Sequence, residues 1–95
     1  METISRNKQK EEYGALLHRP EWLSRRQLIM KRDNHHCLNC GSSNNLQVHH
    51  RQYHKWSKTG DYKRPWDYQD KYLVTLCLDC HKIGHSIYKV PIFHV

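Results

Sequence analysis

Two kinds of side chain in this sequence could do chemistry, and their spacing separates them. Cys37-Leu38-Asn39-Cys40 and Cys77-Leu78-Asp79-Cys80 form two C-x-x-C pairs with 36 residues, 41–76, between them. Each C-x-x-C turn can offer two thiolates to one ion, and two such turns complete a tetrahedral four-sulfur shell suited to zinc. Closing that shell ties the first half of the chain to the last, so the metal would contribute folding free energy directly. Two disulfides or free thiols are the plain alternatives, and paired C-x-x-C with no cysteine left over argues against them. The second set is histidine, nine in all. His49 and His50 are adjacent at the end of an expected strand, so their side chains leave opposite faces. His81 and His85 are four apart on an expected helix, so they share one face at a spacing that suits a divalent ion. His81 follows Cys80 directly, so the four-cysteine site would fix the start of the helix that presents both histidines.

The elements that must position these groups are short. Residues 1–19 read as an N-terminal arm, polar and charged over 1–12, and residues 20–95 as one domain. A helix is expected from Pro20 to Asp33, with Pro20 in its first turn, Glu21 at its positive end and Lys31 and Arg32 at its negative end. Trp22, Leu23, Gln27, Ile29 and Met30 form its expected buried side, while Arg25, Arg26 and Arg32 are expected to face out. Residues 34–45 are turn-rich. Leu46-Gln47-Val48-His49-His50 alternates as a strand does, a polar loop is expected over 51–70, and Tyr72–Leu76 reads as a second strand. A last helix is expected from Leu78 to about Tyr88, stopped by Pro91.

Composition narrows the partners. The chain has 95 residues, 37% of them hydrophobic, and a mean hydropathy of −0.99, so its core is small and needs a staple. Net charge is +7 with a pI near 9.4, and residues 37–60 hold Arg51, Lys55 and Lys58 with no acid. With three tryptophans, six tyrosines and one phenylalanine, that balance points to a polyanion partner, nucleic acid being the commonest. Residues 1–5 lack a basic stretch followed by an apolar run, and no segment approaches the ~18 apolar residues of a membrane span. The expectation is a cytoplasmic protein, not secreted, with no membrane partner and with reduced cysteines.

Arg32-Asp33 followed by C-x-x-C, LQVHH at 46–50, and LVTLC-x-x-CH-x-x-x-H at 73–85 resemble the HNH endonucleases. PEW at 20–22 and PWDY at 65–68 resemble the small bacterial and phage members of that group. The resemblance runs from Pro20 to His85. It implies an α+β fold, a small zinc-stapled ββα-metal (His-Me finger) domain with an N-terminal helix. It also implies a metal-dependent DNA endonuclease that hydrolyses phosphodiester bonds. In that frame His50 is the catalytic general base, and His49, His81 and His85 hold a catalytic divalent ion, Mg²⁺, Mn²⁺ or similar. Cys37, Cys40, Cys77 and Cys80 hold the structural Zn²⁺. Tyr72 falls where the family has an asparagine that orients the base, so Tyr72, Asp70 or another contact would hold His50.

Those residue types suit the reaction. A histidine with an ordinary pKa near 6.5 can take a proton from water at neutral pH. A divalent ion held by three imidazoles keeps positions open for a phosphate oxygen and the leaving group. Arg51, Lys55 and Lys58 could hold flanking phosphates, and His54, in the same loop, could touch phosphate or be merely exposed. His18 and His94 read as surface residues, and His35 and His36 as loop residues beside Cys37. Trp66 reads as core, while Trp56 fits either a cap on the core or a base-stacking ring. The alternative function is a non-catalytic zinc-ribbon nucleic-acid-binding module. A zinc domain that mediates protein contacts explains neither the charge nor the histidines. The sequence leaves open the recognition site, nicking against double-strand cleavage, and whether two copies pair as a homodimer.

Overall fold

The helix expected from Pro20 to Asp33 is present as Pro20–Arg32 (α2), preceded by a short helical stretch at residues 12–16 (α1). The computed structural model describes residues 12–87 and 89–95, without the side chains of 85–87; residues 1–11 of the expected arm lie outside the described residues. Pro20 sits in the first turn of α2, where its missing N–H costs nothing, and Arg19 enters extended with no side-chain cap. The helix ends because Asn34 and His35 both turn left-handed, at φ 56° and 55°. Asn and His tolerate that region better than most side chains. The His35 N–H then reaches back to the Met30 carbonyl at 2.8 Å, which satisfies one of the helix's last acceptors.

Two antiparallel strands, β1 (Leu46–His50) and β3 (Leu73–Cys77), form the central ladder, with Leu46 opposite Cys77 and His50 opposite Leu73. A single 3₁₀ turn, Asp70–Tyr72, leads into β3, and α3 (Leu78–Ile87) follows β3 without a break. Both strands lie against α2 and α3. The core between α2 and the ladder is Trp22, Ile29, Tyr68 and Leu73, with Leu17, Val48, Trp66 and Tyr72 packed around it. Trp66 therefore joins the core as expected.

The stretch 51–70 is not one irregular loop. Tyr53–Lys55 forms β2, which pairs in parallel with β4 (Ile92–His94), while Lys55 also bridges Tyr62. A three-residue strand carries too few alternations to be read from sequence, and its partner lies some 40 residues on, roughly a crossover's distance. Pro91 does follow the last helix; its carbonyl accepts from the Tyr53 N–H at 2.9 Å.

Three arginines expected to face solvent are partly turned inward. Arg25 donates to the Tyr68 carbonyl at 2.7 Å and pairs with Asp70, and Arg26 donates to the Leu46 carbonyl at 3.3 Å. Arg32 donates to the carbonyls of Asp70 and Leu73 at 2.6 and 2.7 Å. Helical periodicity sorts apolar from polar side chains, and it missed these because arginine can bury its stem while its head satisfies carbonyls. Conversely Leu23, expected on the buried side, is exposed and Gln27 likewise, so the buried stripe narrows to Trp22 and Ile29.

Candidate metal centre and the histidine cleft

The four cysteines meet. Cys37 lies after the α2 turn, where its N–H bonds the Ser42 carbonyl and its carbonyl accepts from Gly41, both at 2.8 Å. Gly41 takes φ 81°, a conformation that favours glycine and lets this turn close. Cys77 ends β3 and Cys80 lies in the first turn of α3. Each turn is tied by a backbone bond to the other half of the chain, Leu38 N–H to the Thr75 carbonyl in β3 at 3.1 Å and Leu78 N–H to the carbonyl of Asn45, just before β1, at 2.9 Å. All four sulfurs lie within 4.8 Å of one another, and Cys40 and Cys77 are 3.6 Å apart. Sulfurs about 2.3 Å from one tetrahedral ion are ~3.8 Å apart, so the spacing fits a structural metal such as zinc. Donors are already aimed at the sulfurs: Asn39 Nδ2 lies 3.3 Å from Cys80 Sγ and the Cys80 N–H 3.4 Å from Cys77 Sγ. Burial pushes the Cys37 thiol up, but the backbone N–H groups of Cys40, Cys77 and Asn39 outweigh it and bring it down to about 6. Among the described residues this is the one group of three or more ligand-type side chains close enough to hold a metal.

Asp33 fixes this turn to the ladder. Its carboxylate accepts from Arg32 Nε and Nη2 at 2.8 and 2.9 Å and from the Thr75 N–H at 2.9 Å. Burial alone would raise the carboxyl's pKa, but these donors hold it below the usual carboxylate range. The Arg32-Asp33 pair thus links the end of α2 to β3, one element from each half of the four-cysteine cluster.

His49, His50 and His81 line one cleft of about 370 Å³, together with Tyr13, Trp22 and Arg26. The His49 and His81 rings meet edge to face, their centres 4.9 Å apart. Two imidazoles bound to one ion through nitrogens at ~2.1 Å have ring centres roughly 4.5–5.2 Å apart, a separation that ordinary edge-to-face packing of two rings shares. The side chain of His85, the third expected ligand, lies outside the described residues.

His50 is buried, 4% exposed, and stacks between Trp22 at 5.1 Å and Tyr53 at 5.3 Å, with Tyr68 edge-on at 4.9 Å. Its Nε2 lies 2.9 Å from the Pro65 carbonyl oxygen. A carbonyl only accepts, so Nε2 carries the hydrogen and the neutral ring keeps its lone pair on Nδ1. Burial holds the His50 pKa below that of an ordinary histidine, the Pro65 bond opposing it in part. The contact that holds His50 is therefore Pro65, not Tyr72 or Asp70. Its only trace in the sequence is the PWDY stretch at 65–68, since a backbone carbonyl has no residue signature.

The expected DNA-contacting residues divide. Arg51 is exposed and borders a second hollow of about 240 Å³ beside His49 and Lys89. Lys55 is half-buried with Nζ 4.5 Å from the Tyr62 ring centre, and Lys58 is exposed in the turn after β2. His54 is 8% exposed and bonded to Gln52 at 2.9 Å, which leaves little of it to reach a phosphate. His18, His35, His36 and His94 are exposed. Reading by residue type passed over Tyr13 and Arg26, whose place in the cleft comes from packing of α1 and α2. No helix among the described residues is long and apolar enough to cross a membrane. No family model, curated protein or solved structure matches the chain.

Proposed function

We propose that this chain is a metal-dependent DNA endonuclease of the HNH type, folded as a ββα-metal domain. The observation that carries the reading is that His49 and His81 meet, ring centres 4.9 Å apart, in the same cleft as His50. The antiparallel β1 and β3, followed at once by α3, suit the hairpin-and-helix order of that fold.

In this reading His49, His81 and His85 hold the catalytic ion. When bound, a divalent ion there would polarise a phosphate oxygen and stabilise the leaving 3′ oxygen. The rest falls to the chain's own residues. Pro65 holds His50 in the tautomer whose Nδ1 can accept a proton from water, and Trp22 and Tyr53 keep the ring from turning. Lowered basicity keeps that nitrogen unprotonated at neutral pH. Arg26 brings a cation to the wall of the cleft, and Arg51 and Lys58 bring exposed cations for flanking phosphates. The four-cysteine zinc site sets the start of α3 and hence the place of His81.

One observation favours a second reading, a zinc-stapled nucleic-acid-binding module without catalysis. His50 is as buried as a core residue. Supercoiled plasmid incubated with the protein and Mg²⁺, Mn²⁺, Ni²⁺ or Zn²⁺ separates the two. Metal-dependent conversion to nicked circles is expected; no conversion under any ion leaves the binding module.

A further inference from the structure

We infer that Trp56 is a stacking platform for an unpaired nucleobase, so that the protein prefers single-stranded or locally opened nucleic acid to closed duplex. This inference rests on the nucleic-acid-binding part of the proposed function and on none of its catalysis. Trp22 is buried and Trp66 half-buried, whereas Trp56 is 45% exposed. An indole costs free energy in water, and this one is held there by a closed turn. The Trp56 N–H bonds the Asp61 carbonyl at 2.9 Å, its carbonyl accepts from Gly60 at 2.8 Å, and the next N–H, of Ser57, bonds the Val95 carbonyl at 2.9 Å. Gly60 takes φ 77°, which lets the turn close. The ring is thus presented on a rigid support, which lowers the entropy lost when a base lands on it.

The charge beside the ring suits a phosphate-bearing strand. Lys63 Nζ lies over one face of the Trp56 ring, 5.3 Å from its centre, which leaves the other face for a base, and Lys58 is exposed in the same turn; Asp61 is the turn's one acid. Cations around an exposed aromatic are what non-sequence-specific single-strand sites combine, because every base has a face to stack and every nucleotide a charge. Tyr53, which stacks on His50, lies three residues before Trp56, about 10 Å along the chain. In a closed duplex the bases are stacked on each other, and no face is available to the indole.

The test is the affinity of a labelled twelve-nucleotide thymidine strand and of a blunt-ended, two-stranded duplex without a loop, read by fluorescence anisotropy with no added divalent ion. Trp56→Ala should weaken binding of the single strand roughly 5- to 100-fold, the range for one base on one aromatic, and change duplex binding less than twofold. Trp56→Phe should retain most of the affinity. A strand with abasic sites should bind the wild type about as weakly as the ordinary strand binds Trp56→Ala. Lys58→Ala should weaken both ligands alike, since it meets only phosphate. Equal losses on strand and duplex, an abasic strand that binds the wild type normally, or no single-strand binding by the wild type overturns the inference, whatever the plasmid assay gives. Loss of the folded circular-dichroism spectrum in both Trp56→Ala and Trp56→Phe overturns it too, because the ring would then be packing.

Discussion

His50 and Pro65 are joined by one hydrogen bond of 2.9 Å, from the ring Nε2 to the backbone carbonyl, and that bond decides which nitrogen of the histidine is basic. It lies in the core, so changing His50 tests two things at once. His50→Ala removes a buried ring and leaves a cavity, and is expected to lower stability by about 2–4 kcal/mol. His50→Gln keeps bulk and can still donate an N–H to Pro65, so it should fold. If His50 is the base, His50→Gln should nick plasmid about 10²-fold more slowly or worse, with an unchanged melting midpoint within a few degrees. A Gln variant that cleaves at the wild-type rate removes His50 from the mechanism.

The four-cysteine cluster gives the second prediction. The purified protein is expected to carry one tightly held zinc per chain. Cys37→Ser and Cys80→Ser should each lose it and the folded near-ultraviolet spectrum with it, since structural zinc contributes on the order of 10 kcal/mol in small domains. Metal analysis by mass spectrometry and circular dichroism check this. Zinc-free protein that remains folded, or a disulfide between any two of the four, contradicts it.

What was legible beforehand was local and periodic. The C-x-x-C pairs told their own meeting because ligand spacing is set by the turn itself, and α2 and β1 were marked by Pro20 and by the alternation of LQVHH. What was not legible depends on backbone groups and on distant partners. Pro65 holds His50 with a carbonyl, Arg32 grips the carbonyls of Asp70 and Leu73, and β2 exists through β4. None of these leaves a pattern of residue types. His54 shows the converse error. A polar residue in a polar stretch reads as exposed, yet the rings of Tyr68, Tyr72 and Phe93 close around it.

Asp33 carries the third prediction. It receives two bonds from Arg32 and one from Thr75, and Asp33→Asn loses the charge that draws them. The expected loss at pH 7 is roughly 2–3 kcal/mol, the scale of charge-assisted bonds in a buried place. Its sign with pH follows from a lowered pKa. The stabilisation is fully present above the unfolded carboxyl's ~3.9 and fades only as pH falls through the lower folded value. The gap in melting midpoint between wild type and Asp33→Asn should therefore stay constant from pH 8 to 5. A gap that closes by pH 6 would mean that Asp33 is not the ionised partner described.

The last prediction separates ligand from base within one cleft. His49 and His81 meet edge to face at 4.9 Å, while His50 is stacked between Trp22 and Tyr53 and tied to Pro65. If the first two hold an exchangeable ion, His49→Ala and His81→Ala each remove one donor and leave the rest of the site in place. Their defect is then one of metal affinity, and activity should recover in part as Mn²⁺ or Mg²⁺ is raised through the millimolar range. His50→Gln has no metal deficit, so added metal should leave its rate unchanged. The three variants must be compared at equal zinc content in the four-cysteine site, because His81 adjoins Cys80 and its replacement could disturb that shell. Titrating the divalent ion at fixed enzyme and plasmid gives an apparent metal constant and a limiting rate for each. A raised constant with a near-normal limit for His49→Ala and His81→Ala, against a normal constant with a low limit for His50→Gln, is the expected pattern. If all three share a normal constant and a low limit, the His49 and His81 pair is packing and the ion binds elsewhere. If His50→Gln alone recovers with metal, the roles of ligand and base are exchanged.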